Sequence, residues 1–177
     1  MTTILRRTLT WTASAFLLAA SLTGASAQQS VLRIGLAEDP DALDPTTART
    51  FVGRIVFAGL CDKLFDIDEK LNIVPQLATG FSWGGEGKEL TIKLRTDVVF
   101  HDGEKMDAEA VRFSLDRHLN MQGSFRRSEI SAMTKVEVVD PATVKLTLSA
   151  PFAPFVAQLT DRAGMIVSPR SEEHTSE

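Results

Sequence analysis

The residues able to do chemistry are few, and their spacing suits little of it. His101-Asp102-Gly103-Glu104 places an imidazole and two carboxylates side by side. A metal needs ligands that converge from separate elements or at helical spacing, and adjacent residues do not converge. Asp-Gly after an alternating segment is a turn signal, so a turn is expected there. Asp62, Asp66, Asp68 and Glu69 form an acidic cluster. A calcium loop begun at Asp62 needs glycine at its sixth position and glutamate at its twelfth, where this chain has Ile67 and Ile73. A solvated strand face and turn is the expected state of that cluster. Ser114, Ser124, Ser128 and Ser131 include no G-x-S-x-G elbow. No G-x-x-x-x-G-K-[ST] phosphate loop occurs. His118 sits on a helix flank beside Asp116 and Arg117, where exposure is the simple expectation. Arg126-Arg127 reads as a solvated loop. These residues point to no enzyme, no cofactor and no metal.

Composition narrows the class. The 177-residue chain has 19 Lys+Arg against 23 Asp+Glu, a formal net charge of -4. A mildly acidic, mixed surface argues against nucleic acid and anionic membrane as partners. Cys61 is the single cysteine, so no disulfide forms within one molecule and the core must hold the fold. It falls on an apolar helical pattern and is expected to be a small buried hydrophobe. The chain opens with Arg6-Arg7, an uncharged, mostly apolar run over residues 11–22, and Ala25-Ser26-Ala27. This is the pattern of a secretory signal peptide over residues 1–27, cleaved between Ala27 and Gln28. The apolar run is shorter than the roughly 20 residues a spanning helix needs. With no cysteine at the cleavage site, the expected product is periplasmic and not a lipoprotein. The last residues, R-S-E-E-H-T-S-E, contain nothing apolar and look like a translated sequencing adapter. Residues 170–177 are therefore expected to be a non-native tail.

The elements that must position any site follow from periodicity. Residues 31–37 alternate and predict a strand, ended by Asp39-Pro40-Asp41 and Asp44-Pro45. Residues 51–60 predict a helix capped by Thr50, with Val52, Val56 and Leu60 on one face and Phe51, Ile55 and Gly59 beside it. A strand is expected over 64–68, a turn over 69–72 and a tight connection over 84–87. Leu90, Ile92 and Leu94 alternate with Thr91, Lys93 and Arg95, the pattern of a half-buried strand. Asp107 is a good cap for a helix over 107–119 lined by Ala108, Val111, Leu115 and Leu119, with Glu109 at its positive end. Residues 121–128 read as loop. Val136 and Val138, then Val144, Leu146 and Leu148, alternate on either side of Asp140-Pro141-Ala142-Thr143, which predicts two adjacent strands. A short helix begun by Pro151 and Pro154 is expected over 152–159, and Met165-Ile166-Val167 is strand-like. The sum is a mixed α/β domain with one modest core.

A long ordered pattern carries a family resemblance. Pro75-Gln76-Leu77-Ala78, Trp83, Leu94-Arg95, Val99-Phe100-His101-Asp102-Gly103 and Ala108-Glu109-Ala110-Val111 stand in sequence. They resemble the peptide-type solute-binding proteins of ABC importers, family 5, which include dipeptide, oligopeptide, glutathione and nickel binders. The likeness extends loosely over residues 31–169. It implies an α/β fold: the N-terminal part of a two-lobed, type II-like periplasmic binding protein with the extra α/β domain of peptide binders, truncated. Residues 28–47 would begin the first lobe, 48–160 form the extra domain, and 161–169 return to the lobe. The resemblance implies a monomer that binds a peptide or other small solute by hinge closure and delivers it to an ABC permease in the inner membrane. A binder of nickel chelates or oligosaccharides, and a periplasmic sensor on the same scaffold, are alternatives. A secreted enzyme is a further one, without a visible nucleophile. Asp44-Pro45 resembles the family's L-D-P segment, which passes close to the ligand cleft. Thr46, Thr47, Ala48, Arg49 and Thr50 follow it and are the expected ligand-binding positions, with an ordinary helix-start loop as the equal alternative. With the second lobe missing, Met165, Ile166 and Val167 are expected to be exposed.

Overall fold

The computed structural model describes residues 31–170. The expected signal peptide, its Ala27/Gln28 cleavage site and residues 171–177 of the expected tail lie outside these. Residues 31–35 are described by themselves. They have no regular secondary structure, and Val31, Leu32 and Ile34 are exposed. The strand expected over 31–37 is not formed. Alternation supplies two faces, but a strand also needs a neighbour to take its backbone hydrogen bonds.

From Leu36 on, the described residues form one unit. Its elements run α1 (Phe51–Leu60), β1 (Phe65–Ile67), β2 (Ile73–Pro75), β3 (Ala78–Gly84), β4 (Glu89–Leu94), α2 (Ala108–Asn120), α3 (Arg127–Ile130), β5 (Met133–Asp140), β6 (Thr143–Leu148) and α4 (Phe155–Gln158). β1 and β2 form a small hairpin, and the other strands make an antiparallel sheet in the order β3-β4-β6-β5.

The sheet has one apolar face because its strands keep period two in register. Leu90 pairs with Leu146 and Ile92 with Val144, and all four are fully buried. Thr91 and Lys145 pair between them, on the opposite face. β5 extends the apolar face with Val136 beside Leu146 and Val138 beside Val144. Ala108, Val111 and Leu115 of α2 belong to the same core. Asp107 caps this helix by accepting the Ala110 amide at 3.0 Å. The strands expected over 90–95 and 144–148, the helix over 107–119 and the hairpin turn at 140–143 are all present.

Four local expectations change. Thr50 does cap α1, taking the Gly53 amide at 3.0 Å, but the buried face is Val52, Gly53 and Phe57. Phe51, Ile55 and Leu60 are exposed, since every residue of this helix is apolar, glycine or Arg54 and periodicity cannot choose a face. Met165 makes only an isolated bridge with Lys63, and Met165 and Ile166 are buried, not exposed. Residues 162–166 fold back under β1, with the Leu64 amide on the Gly164 carbonyl at 2.8 Å and the Ile166 amide on Asp62. His118 and Arg126 are buried as well. The turns at 68–72 and 101–104 form as expected: Asp68 takes the Lys70 and Asn72 amides, and Asp102 takes that of Glu104.

Gly164 is required by close approach, because a Cβ there would lie 1.9 Å from the Leu159 carbonyl oxygen. Gly164→Ala is therefore expected to destabilise the chain by about 1–3 kcal/mol through overpacking. Leu146→Ala, in the middle of the sheet, should cost about 3 kcal/mol. Val139→Thr, at an exposed position, should change stability by no more than about 0.5 kcal/mol. Urea denaturation of the three variants checks the order, and equal losses would contradict the placement of the core.

Candidate functional site

Residues 44–50 leave a loop that is tied down almost completely. Two aspartates take its five amides. Asp44 accepts Thr46 at its side chain (2.9 Å) and Thr47 and Ala48 at its backbone carbonyl (3.2 and 2.9 Å). Asp41 accepts Arg49 at 2.8 Å and Thr50 at 3.3 Å through its two carboxylate oxygens, and the Thr50 hydroxyl at 2.9 Å. Three of these amide bonds use carboxylate oxygens, so the acids close the loop where the backbone carbonyl of Asp44 does not reach. The Arg49 and Thr50 hydrogen bonds hold the Asp41 carboxyl down to about 2.

The inward carbonyls are taken too. The Thr46 carbonyl receives the Phe125 amide at 3.0 Å. The Ala48 carbonyl receives Arg126 Nη2 at 3.2 Å and Arg162 Nη1 at 3.0 Å. Among the described residues, no hydrogen bond reaches the carbonyls of Thr47 and Arg49. Arg49 is exposed, with its guanidinium 4.8 Å above the Phe125 ring. Of the five expected ligand positions, then, Thr46 and Ala48 are buried and engaged inward. Thr47, Arg49 and Thr50 form the outer face, and it offers two backbone acceptors and one cation.

A polar stripe along α2 supports this loop. Arg117 is bidentate on Asp44, at 2.9 and 2.8 Å, and also donates to the Thr46 hydroxyl. Burial raises the Asp44 carboxyl, but these bonds outweigh it and leave it below its usual range. Thr46 Oγ1 lies 2.8 Å from His118 Nδ1, and His118 Nε2 lies 3.0 Å from the Met165 carbonyl. A carbonyl only accepts, so Nε2 carries the proton and Nδ1 accepts from Thr46. The chain Arg117, Thr46, His118, Met165 is thus directed from one end to the other. Burial pushes the imidazole down to about 4, with Arg117 adding to the effect. One turn earlier, Ser114 accepts the Val167 amide at 3.0 Å.

His118 and Arg126 were missed by sequence reasoning, which placed both in solvent. The available signal was position: His118 lies ten residues after Ala108, near the buried stripe of the same helix. Arg127, the neighbour of Arg126, is exposed and closes α2 by donating to the carbonyls of Leu119, Asn120 and Met121. Cys61 is half-buried at the end of α1, with burial raising its thiol. It borders an apolar groove of about 440 Å³ shared with Leu77, Phe100, Met106 and Ile166. Among the described residues, no three His, Cys, Asp or Glu side chains are arranged to hold a metal.

The unit is thus a mixed α/β fold carrying a polar loop tied to α2 and to the segment that returns after α4. The fold matches that of the periplasmic binding protein AgaA from A. tumefacien R10 in complex with agropinic acid, with a TM-score of 0.69 at 31% identity over 78% of this chain and 28% of that one. A family model described as Bacterial extracellular solute-binding proteins, family 5 Middle, matches residues 72–177. The chain belongs to that family. It is 36% identical over 132 residues to the glutathione-binding protein GsiB of Salmonella paratyphi A (strain ATCC 9150 / SARB42), covering 74% of this chain and 26% of that protein. It is also similar to NikZ of Campylobacter jejuni in complex with Ni(L-His), with a TM-score of 0.56 at 32% identity over 60% of this chain and 21% of that one. The chain spans about a quarter of the length of the curated relatives it matches.

The buried imidazole sets a pH dependence. Its folded pKa of about 4 lies below the 6.5 of the free side chain, so the folded state holds fewer protons between those values. The contribution is complete above pH 6.5 and is lost as pH falls toward 4, amounting to about 3 kcal/mol in all. Glu129, raised by burial, runs in the opposite sense, and Asp44, lowered, acts at more acid pH. Urea midpoints between pH 7 and 4 should fall in the wild type and flatten in His118→Asn. An imidazole signal titrating at 6.5 would contradict this burial.

Proposed function

We propose that this chain supplies one wall of the ligand cleft in a periplasmic binding protein that carries a small peptide, of glutathione or dipeptide type, to an ABC permease. The observation that carries the reading is the identity with glutathione-binding proteins over three quarters of the chain. The geometry of the loop supports it. The Thr47 and Arg49 carbonyls are acceptors suited to the N–H groups of a peptide, and the exposed Arg49 guanidinium suits a carboxylate. Thr47, Arg49 and Thr50 are the ligand-facing positions on this reading, with Thr46 and Ala48 behind them.

Binding then works by closure. Residues 28–47 and 161–169 belong to the first lobe, 48–160 to the adjoining α/β domain, and a second lobe closes over the ligand. The ligand favours the closed state because only that state offers contacts from both walls. A preset loop limits the ordering cost on binding, which leaves more of the contact energy as affinity. Among the described residues, no helix is long and apolar enough to cross a membrane. On this reading the segment over residues 1–27 directs export and is cleaved after Ala27, and the protein works in the periplasm as a monomer.

Calorimetry with glutathione, a dipeptide panel and Ni(L-His) tests the proposal on the 177-residue chain and on the complete product of the gene. The complete product is expected to bind glutathione or a dipeptide with a Kd of order micromolar, about 8 kcal/mol. The 177-residue chain, with one wall, should show no binding at the same concentrations. Micromolar binding by the 177-residue chain would contradict the two-wall cleft, and preference for Ni(L-His) would contradict the peptide reading.

A further inference from the structure

Arg126 and Arg162 lie far apart in sequence and meet on one atom. Arg126 precedes α3, and Arg162 opens the short 3-10 turn Arg162–Gly164. Their side chains converge on the Ala48 carbonyl oxygen, which has two lone pairs and accepts from both. Arg162 Nη1 also reaches the Thr50 carbonyl at 3.3 Å. Both residues are buried, at 3% and 7% exposure.

The arrangement is poor as a source of stability. Two guanidiniums share one acceptor, and among the described residues Glu129 pairs directly with Arg126, at 2.6 Å. The Nε of each arginine is buried with no hydrogen-bond partner among the described residues. Burial lowers the Arg126 pKa, and the charge of Arg162 lowers it further. Apolar side chains of similar volume would fill the same space without these costs. What apolar residues cannot do is choose which way a carbonyl points. Both arginines hold the Ala48 carbonyl, and Arg162 also reaches the Thr50 carbonyl, which α1 engages through the Arg54 amide. The amides are taken by Asp41 and Asp44, and among the described residues the carbonyls of Thr47 and Arg49 accept no hydrogen bond.

We infer that Arg126 and Arg162 are positioning residues that preset residues 46–50, holding the outer face of the loop in one arrangement before ligand arrives. The inference rests on the reading of this loop as ligand-facing. It adds that the loop's order comes from cations beneath it and not from the ligand.

The test is amide hydrogen exchange without ligand, on the 177-residue chain. Arg162→Met and Arg126→Met are compared with wild type, and Arg162→Lys keeps the charge but loses the fork. In Arg162→Met the amides of Thr47, Ala48, Arg49 and Thr50 should exchange at least about tenfold faster. The sheet amides of Ile92 and Leu146 should stay within about twofold of wild type. Arg162→Lys should fall between, and it carries the test if Arg162→Met does not fold. Loop and sheet amides accelerating together would mean a general structural role and would overturn the inference. So would loop amides that do not change. Because no ligand is present, these outcomes are independent of whether the protein binds peptide.

Discussion

The buried imidazole of His118 is the contact on which the ordered loop depends. It bridges Thr46 and the Met165 carbonyl, two segments more than a hundred residues apart, from the last turn of α2. Buried hydrogen bonds contribute only about 1 kcal/mol each, but a buried partner left unsatisfied costs about 1–3 kcal/mol. Directionality therefore matters more than strength. With Nε2 donating to a carbonyl, Nδ1 must accept, and Thr46 must turn its hydroxyl toward the ring. That leaves its oxygen for Arg117, which in turn holds Asp44. One tautomer thus orients four residues. Ser114, a turn earlier, adds a parallel tie to Val167, so α2 grips both the loop and the returning segment along one polar stripe.

The sheet plays a different part. Its apolar face is paired in register and shares a core with Ala108, Val111 and Leu115 of α2. A side chain meant to hold ligand geometry is best carried by such an element, because the packing fixes its rotamer. The loop itself contributes little apolar burial. Beside the His118 bridge, Asp41 and Asp44 hold its amides, and Phe125, Arg126 and Arg162 hold its inward carbonyls. The outer face that remains is sparse: two acceptors and one guanidinium on an aromatic ring.

Sparse outer chemistry is consistent with the range of relatives. Proteins similar to this chain bind glutathione, agropinic acid and a nickel–histidine complex in the forms described for them. One scaffold hosting such different ligands indicates that recognition lies in a few grafted side chains.

Much of the fold was legible in the residues. Alternation at Leu90, Ile92 and Leu94, and again at Val144, Leu146 and Leu148, marks strands with one face to bury, and here each of them has a neighbour to pair with. Asp107 and Thr50 mark helix starts by local hydrogen bonding, which needs no tertiary partner. The Asp-Gly and Asp-x-x-x-Asn turns are local in the same way. What tertiary structure decided were matters of which neighbour arrives. The alternating residues 31–36 show no strand, since the pattern cannot provide a pairing edge. The face of α1 was set by packing, because nearly all its residues are apolar. Met165 and Ile166 were buried by a fold-back closed at Gly164, where only a residue without Cβ fits. His118, Arg126 and Arg162 carry the same side chains as any solvated histidine or arginine. Their role arises from long-range partners, and a polar residue's partners are not written in its spacing.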